Sequence, residues 1–217
     1  MNENGEHFFR AERLLNGPWQ AFERDVARLL HHCKFSDISI VGGTGDKGAD
    51  VLARNNLGLW VIQCKHTTTS SPPLSAIDEV VNAGEFYNAD VLCIATSRPP
   101  SNPFLKRRKM FEQSGLNIRI WAPDELRKLA INISEYPSFQ HLLRQYQQEA
   151  VEIFSAALIE KGKGQIVLAT GLGKTMVMSS CVNYLYKNGY LENNRILVLA
   201  HLKDLIRQLH TGFWNQL

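Results

Sequence analysis

The chain lacks several features that would assign it to other classes of protein. None of its apolar runs approaches the 18 residues that a membrane-spanning helix needs. Its four cysteines include no CxxC pair, so neither a disulfide framework nor a zinc site is indicated, and a reducing cytoplasm is the expected location. The net charge of +3 in 217 residues is only mildly basic, which permits nucleic acid as a partner without requiring it.

What the chain does contain is two stretches with different patterns. The first predicts elements in the order α-β-β-β-α-β-α-β-α, a mixed sheet covered by helices. In the second, long helices alternate with apolar runs at 165–168 and 195–200, which predicts parallel α/β units with buried strands. The expected organisation is a polar segment 1–15, a first domain 16–131, a linker 132–138 and a second domain 139–217.

The most informative segment runs from Asp50 to Lys65. Two β-branched and aromatic runs flank an Asn-Asn-Leu-Gly turn, which predicts a β-hairpin. Folding it about Leu57 and Gly58 would place Asp50 opposite Lys65 and diagonal to Gln63. Such cross-strand neighbours lie about 4.5–8 Å apart, close enough to share one metal ion or phosphate. An acid, an amide and an ammonium gathered there suit a phosphodiester better than a core.

Four spaced elements resemble the Mrr-type restriction endonuclease domain, a branch of the PD-(D/E)xK nuclease superfamily. The resemblance covers about residues 16–130. Its elements are Phe22-Glu23 followed by an apolar helix, the glycine-rich loop 43–50 that ends in Asp50, Gln63-Cys64-Lys65, and Ala95-Thr96-Ser97 after a strand. The resemblance implies a restriction-endonuclease-like mixed sheet flanked by helices, and a DNA-cutting activity.

The same resemblance implies a role for each polar residue of the hairpin. Asp50, Gln63 and Glu23 would hold Mg²⁺ or Mn²⁺ through oxygen ligands. Lys65 would hold the attacking water or stabilise the developing charge. Gln63 departs from most of the superfamily, which has Glu there, and the lost charge weakens metal binding. A nuclease fold that only binds DNA for a motor is therefore the alternative function.

Other residues have a competing interpretation. Asp46 is the rival acid to Asp50, and Glu23 is also typical of a solvated helix face. His66 is interpreted as a packing or surface residue, and the pair His31-His32 as structural rather than metal-binding. The basic run 106–109 is typical of a solvated helix face, and it would equally suit contacts with DNA phosphates.

The segment Ala169-Thr-Gly-Leu-Gly-Lys-Thr175 lies between an apolar run and a helix, the setting of a phosphate-binding loop. It resembles the loop of superfamily 2 (DEAD/DEAH-type) helicases, and 196–208 resembles their motif Ia. Gln147 would read the adenine edge, as in their Q-motif, and Thr175 would also ligate magnesium. The expected ATP-binding residues are Gln147, Thr170, Gly171, Leu172, Gly173, Lys174 and Thr175.

The combined expectation is a metal-dependent endonuclease fused to an incomplete RecA-like segment of a helicase. No later apolar strand ends in Asp-Glu, so ATP hydrolysis and unwinding are expected only in a longer parent protein. DNA and ATP are the expected partners, a membrane is not, and a second copy or a defence-system protein is left open. The fusion is typical of restriction or anti-phage systems.

Overall fold

The computed structural model describes residues 11–41, 47–68, 70–132, 142–191 and 196–214. The chain forms two compact units, one of His7–Ile133 and one that contains Ser134–Leu217. None of the helices in the described ranges combines the length and apolar character needed to cross a membrane. The expected linker lies almost wholly outside the described residues, as does the rival acid Asp46.

The first unit has the predicted alternation of helices and strands, preceded by one additional helix. Its elements are α1 (Ala11–Asn16), α2 (Trp19–His32), β1 (Ser36–Ile40), β2 (Val51–Asn55), β3 (Gly58–Lys65), α3 (Ser75–Tyr87), β4 (Val91–Thr96), α4 (Asn102–Gln113), β5 (Ile118–Trp121) and α5 (Pro123–Ile131). The description of 1–15 as a polar segment is wrong for α1, because Leu14 and Leu15 are buried there.

The five strands form one mixed sheet in the order β1-β2-β3-β4-β5. β2 runs antiparallel to both β1 and β3, whereas β4 runs parallel to both β3 and β5. α3 packs on one face through Ile77 and Val80, which join Val61 and Ile94 in a buried core. α2 contacts the first three strands and buries Phe22. Because β3 is central, its side chains are buried on both faces.

The hairpin forms as predicted, but its predicted register is wrong. Asn55 pairs with Gly58, so the turn is centred on Asn56 and Leu57. The Asn55 Oδ1 accepts hydrogen bonds from the Leu57 N–H and the Trp60 indole N–H, both at 2.8 Å, and these bonds favour the turn at Asn56 and Leu57.

The pairing of Val51 with Ile62 therefore places Asp50 beside Gln63 rather than opposite Lys65. Because the predicted and observed registers differ by two residues, an even number, the side chains keep their predicted faces. The correction brings the acid and the amide closer together than the sequence predicted.

The second unit contains α6 (Gln145–Lys161), α7 (Lys174–Lys187) and α8 (Lys203–Trp214). α6 and α7 pack through Val151, Val177 and Cys181. The predicted strands 165–168 and 195–200 are wrong for the described residues, which show no strand in either segment. A strand needs a hydrogen-bonded neighbour, and neither segment pairs with one in the described part of the chain.

Candidate functional site

Asp50 and Gln63 are in direct contact at the end of β3. The Asp50 Oδ2 accepts hydrogen bonds from the Gln63 Nε2 at 2.7 Å and from the Cys64 N–H at 2.6 Å. Gln63 is only 4% exposed, and its Oε1 is buried without a hydrogen-bond partner among the described residues. Buried polar atoms normally have a hydrogen-bond partner. This oxygen is therefore available to a ligand that the described residues do not supply.

Lys65 lies on the same face of β3, and its ammonium is paired with a residue that the sequence pattern did not single out. The distance from Lys65 Nζ to Glu79 Oε2 is 2.5 Å, and both side chains are partly buried. Glu79 lies in α3, 14 residues along the chain from Lys65. No local spacing connects the two positions, so only the packing of α3 on the sheet reveals the pair.

Glu23 contributes a further carboxyl group from α2. Burial raises its pKa, while the positive charges of Arg24 and Lys65 act in the opposite direction. Its charge in turn affects Asp50, so Glu23 belongs to the same electrostatic cluster as Asp50 and Lys65.

The pKa of Asp50 is raised from its usual value near 3.8 to about 6. Burial is the largest cause, and the charges of Glu23 and Glu79 raise it further. The Cys64 N–H and the Lys65 ammonium act in the opposite direction. Three carboxyl groups therefore face one ammonium, an excess of negative charge that a cation would neutralise.

The donor set around Asp50 fits a hard divalent cation. Mg²⁺ and Mn²⁺ prefer oxygen ligands, and the Asp50 carboxylate lies beside the Gln63 amide, whose own oxygen is unsatisfied. Within the described ranges, no group of three or more His, Cys, Asp and Glu side chains is placed to hold a metal ion. A cation at this site would therefore depend on the Gln63 amide as well as on carboxylates.

The end of β4 supports the chain that follows Lys65. The buried Ser97 donates its N–H to the Lys65 carbonyl at 3.1 Å, and its Oγ exchanges hydrogen bonds with the Thr67 backbone at 2.9 and 3.0 Å. This is the structural role of the Ala-Thr-Ser element in the sequence pattern: it holds the strand end that carries Lys65.

Gly48, two residues before Asp50, lies against α3. Gly48 has φ +96°, and a Cβ at this position would lie 2.9 Å from the Glu79 carbonyl oxygen. Only glycine allows both this conformation and this approach. The turn that leads into Asp50 is thereby packed against the helical turn that carries Glu79.

The rings of His66, His31 and His32 each contact a neighbouring ring. His66 meets the Phe22 ring edge to face at 5.4 Å. The rings of His31 and His32 also meet edge to face, at 5.7 Å. Burial, together with the charges of Arg28 and His31, lowers the pKa of His32 to about 3, so this side chain is neutral at physiological pH.

The basic run in α4 divides into two pairs. Arg107 forms a bidentate ion pair with Asp78 at 2.6 and 2.8 Å, and Arg108 pairs with Glu112 at 3.0 Å. Lys106 and Lys109 are exposed and lie three residues apart, on one side of the helix. The arginines therefore support the structure, and the lysines are the cations presented to solvent.

In the second unit, the phosphate-loop residues precede α7 as predicted. Gly171 and Gly173 have φ angles of 86° and 78°, in the left-handed region that favours glycine. The Lys174 Nζ donates to the Leu168 and Ala169 carbonyls at 2.9 and 3.0 Å, across the loop that would receive phosphate.

Gln147 contacts this loop directly. Its Oε1 accepts the Arg144 N–H at 2.9 Å, and its Nε2 donates to the Leu172 carbonyl at 3.0 Å. A Cβ on Gly173 would lie 2.6 Å from the Gln147 Nε2. Thr175 faces α8, since a Cβ on Gly212 would lie 2.5 Å from its methyl group. The structure thus brings the predicted adenine-reading residue against the predicted phosphate loop.

Comparisons with known families agree with this division of the chain. Residues 14–130 match the Mrr_cat family model, described as a restriction endonuclease. Residues 140–216 match the ResIII family model, described as the res subunit of type III restriction enzymes. Both matches confirm the resemblances drawn from the sequence.

The comparison with curated proteins finds no match. A solved structure described as "Crystal Structure of Protein of Unknown Function AF1548" is similar at 17% identity, with a TM-score of 0.40. The match covers 79% of this chain and 100% of that one. At this TM-score the likeness does not establish a shared fold.

Proposed function

We propose, for a chain that belongs to the Mrr_cat restriction endonuclease family, that its first unit cuts DNA in a metal-dependent reaction coupled to an ATP-dependent DNA motor. The observation that carries the proposal is the contact between Asp50 and Gln63, which leaves a buried amide oxygen unsatisfied beside an acid with a raised pKa. The pairing of the two segments suits restriction or anti-phage defence.

The residues at the end of β3 would have different roles in hydrolysis. Both hydrogen bonds to Asp50 end on Oδ2, so its other oxygen is the one that a cation would meet. The Gln63 Oε1 and the Glu23 carboxylate would complete the protein's ligands to Mg²⁺ or Mn²⁺. When bound, the metal polarises the phosphoryl oxygen and lowers the pKa of a water molecule. Lys65 would hold that water or the charge that develops on phosphorus.

The second unit would contribute the nucleotide site. Lys174 is bonded to two loop carbonyls, and it would exchange them for the phosphates of ATP. The left-handed Gly171 and Gly173 would direct backbone N–H groups at those phosphates. Thr175 would add a hydroxyl ligand to the nucleotide's Mg²⁺.

A second function is favoured by one specific feature, the amide at position 63. With Gln in place of a carboxylate, the site has one negative charge fewer to hold a cation. In this alternative the unit keeps the nuclease fold and serves as a DNA-binding module for the motor.

The test is nicking of supercoiled plasmid by the full chain in Mg²⁺, in Mn²⁺ and in EDTA, with DNA affinity measured in parallel. We expect metal-dependent nicking that disappears in Asp50→Ala and Lys65→Ala while DNA affinity is kept. Lys128→Ala, at an exposed position in α5, is the control and should cut like the wild type. Binding without cleavage by the wild-type chain in either metal would support the DNA-binding alternative instead.

A further inference from the structure

Glu79 is the one partner that the described residues give to the Lys65 ammonium. The two side chains approach to 2.5 Å, and their exposed fractions are 22% for Lys65 and 36% for Glu79. The pair connects the end of the central strand to α3, whose apolar side is buried on the same face of the sheet. Neither the sequence pattern nor the family resemblance assigned a role to Glu79.

The backbone around Glu79 is held in place by the loop that leads into Asp50. Gly48 approaches so closely that an added Cβ would lie 2.9 Å from the Glu79 carbonyl oxygen and 3.0 Å from its Cβ. The Asp50 loop, the Glu79 turn and the end of β3 therefore form one packed unit. A displacement of Glu79 would therefore change the positions of both Asp50 and Lys65.

Lys65 has three carboxyl groups within its electrostatic reach, those of Asp50, Glu23 and Glu79. Its charge acts on Asp50 as well as on Glu79, but the ion pair forms with Glu79. An ammonium paired with Asp50 would neutralise the acid and occupy the place of a cation. The long lysine side chain also has high conformational freedom, which the pair restricts.

We infer that Glu79 is a positioning residue: it fixes the Lys65 ammonium beside the site and keeps it away from the Asp50 carboxylate, so that Asp50 is available to a divalent cation. This inference rests on the proposed nuclease function. It differs from a role in stability alone, because an ion pair that only stabilised the fold would leave the metal requirement unchanged.

The test compares Glu79→Gln, Glu79→Asp and Glu85→Gln in the full chain. Glu85 lies in the same helix and is exposed. Because Glu85→Gln removes the same charge as Glu79→Gln, it is the matched control. The measurement is the single-turnover nicking rate of supercoiled plasmid against Mg²⁺ and against DNA concentration.

We expect Glu79→Gln to lower the rate about 10-fold or more and to raise the Mg²⁺ concentration for half-maximal rate several-fold. The DNA concentration for half-maximal rate should stay unchanged. Glu79→Asp should recover part of the rate, and Glu85→Gln should behave as the wild type. Reduced folding of Glu79→Gln would lower the amount of active protein, whereas the half-saturating Mg²⁺ concentration separates that effect from misplacement of Lys65.

The outcomes are distinguishable. If the wild-type chain nicks and Glu79→Gln keeps its rate and Mg²⁺ requirement, the inference is overturned while the proposed function stands. An equal loss of nicking rate in Glu85→Gln would also overturn it, because the effect would then come from the charge of the helix and not from the contact with Lys65. If the wild-type chain fails to nick in either metal, the proposed function is overturned, and the inference with it.

Discussion

Gln63 donates a hydrogen bond from its Nε2 to the Asp50 Oδ2 at 2.7 Å, while its own Oε1 is buried with no partner among the described residues. The bond to Asp50 fixes which end of the amide is the donor. An unsatisfied buried acceptor costs about 1–3 kcal/mol, so its presence beside an acid cluster needs an explanation. A bound cation would supply one.

Replacing Gln63 with Glu tests this explanation. Without metal, the new carboxylate would lose the bond to Asp50 and repel it, so the free energy of unfolding at pH 8 should fall by about 2 kcal/mol. The added charge should also make the stabilisation by Mg²⁺ larger than in the wild type. Thermal unfolding with and without Mg²⁺ measures both effects. Gln113→Glu, exposed at the end of α4, is the control. A metal-free midpoint equal to the wild-type value would contradict the account.

The raised pKa of Asp50 predicts a pH dependence of stability. Because its pKa is about 6 in the folded state and near 3.8 ordinarily, the folded protein holds this proton more tightly. The resulting stabilisation is present below pH 4 and is lost as the pH rises through 6. The difference of about two pH units corresponds to about 3 kcal/mol at most.

Asp50→Asn stays neutral over this range. Its free energy of unfolding relative to the wild type should therefore increase by about 1–3 kcal/mol between pH 4 and pH 8. Denaturant unfolding in EDTA at several pH values is the measurement. A difference that does not change with pH would show that Asp50 is not the titrating group.

The exposed lysines of α4 should contact DNA, and the paired arginines should not. Lys106→Ala combined with Lys109→Ala should weaken DNA binding and reduce the slope of log affinity against log salt by about 2. Arg107→Ala should instead lower stability by about 1 kcal/mol or less, because it removes a surface ion pair with Asp78. Equal salt slopes for the double variant and the wild type would exclude α4 from the interface.

Lys174 should be needed for nucleotide binding. Lys174→Ala should abolish binding of a fluorescent ATP analogue, while Lys187→Ala, in the last turn of the same helix, should leave it unchanged. Gln147→Ala should lower the free energy of unfolding by about 1–2 kcal/mol, because it removes bonds to Arg144 and Leu172. Wild-type ATP affinity in Lys174→Ala would overturn the assignment of the loop.

The sequence predicted the first unit well where local signals and burial agree. The strand 91–96 is buried throughout and apolar up to Ala95, and it lies where the pattern placed it. The hairpin register could not be predicted, because the hydrogen bonds of the Asn55 side chain favour a turn one residue earlier than the sequence suggested. Glu79 could not be found either, since the pairing with Lys65 depends on tertiary packing alone.

In the second unit, the prediction of strands was wrong for the described residues. The apolar runs at 165–168 and 196–200 have the composition of buried strands, but strand formation depends on a neighbour that composition cannot specify. The sequence pattern identified Gln147 and the phosphate loop separately, and it could not predict the contact between them.

The central claim is that Asp50 belongs to a metal-dependent DNA-cutting site. The most direct measurement is the single-turnover nicking rate of wild-type and Asp50→Asn protein over a range of Mg²⁺ concentrations, with plasmid binding measured in the same samples. We predict a wild-type rate that rises with Mg²⁺ and is absent in Asp50→Asn, at equal DNA affinity. Nicking by Asp50→Asn at the wild-type rate and Mg²⁺ dependence would contradict the claim.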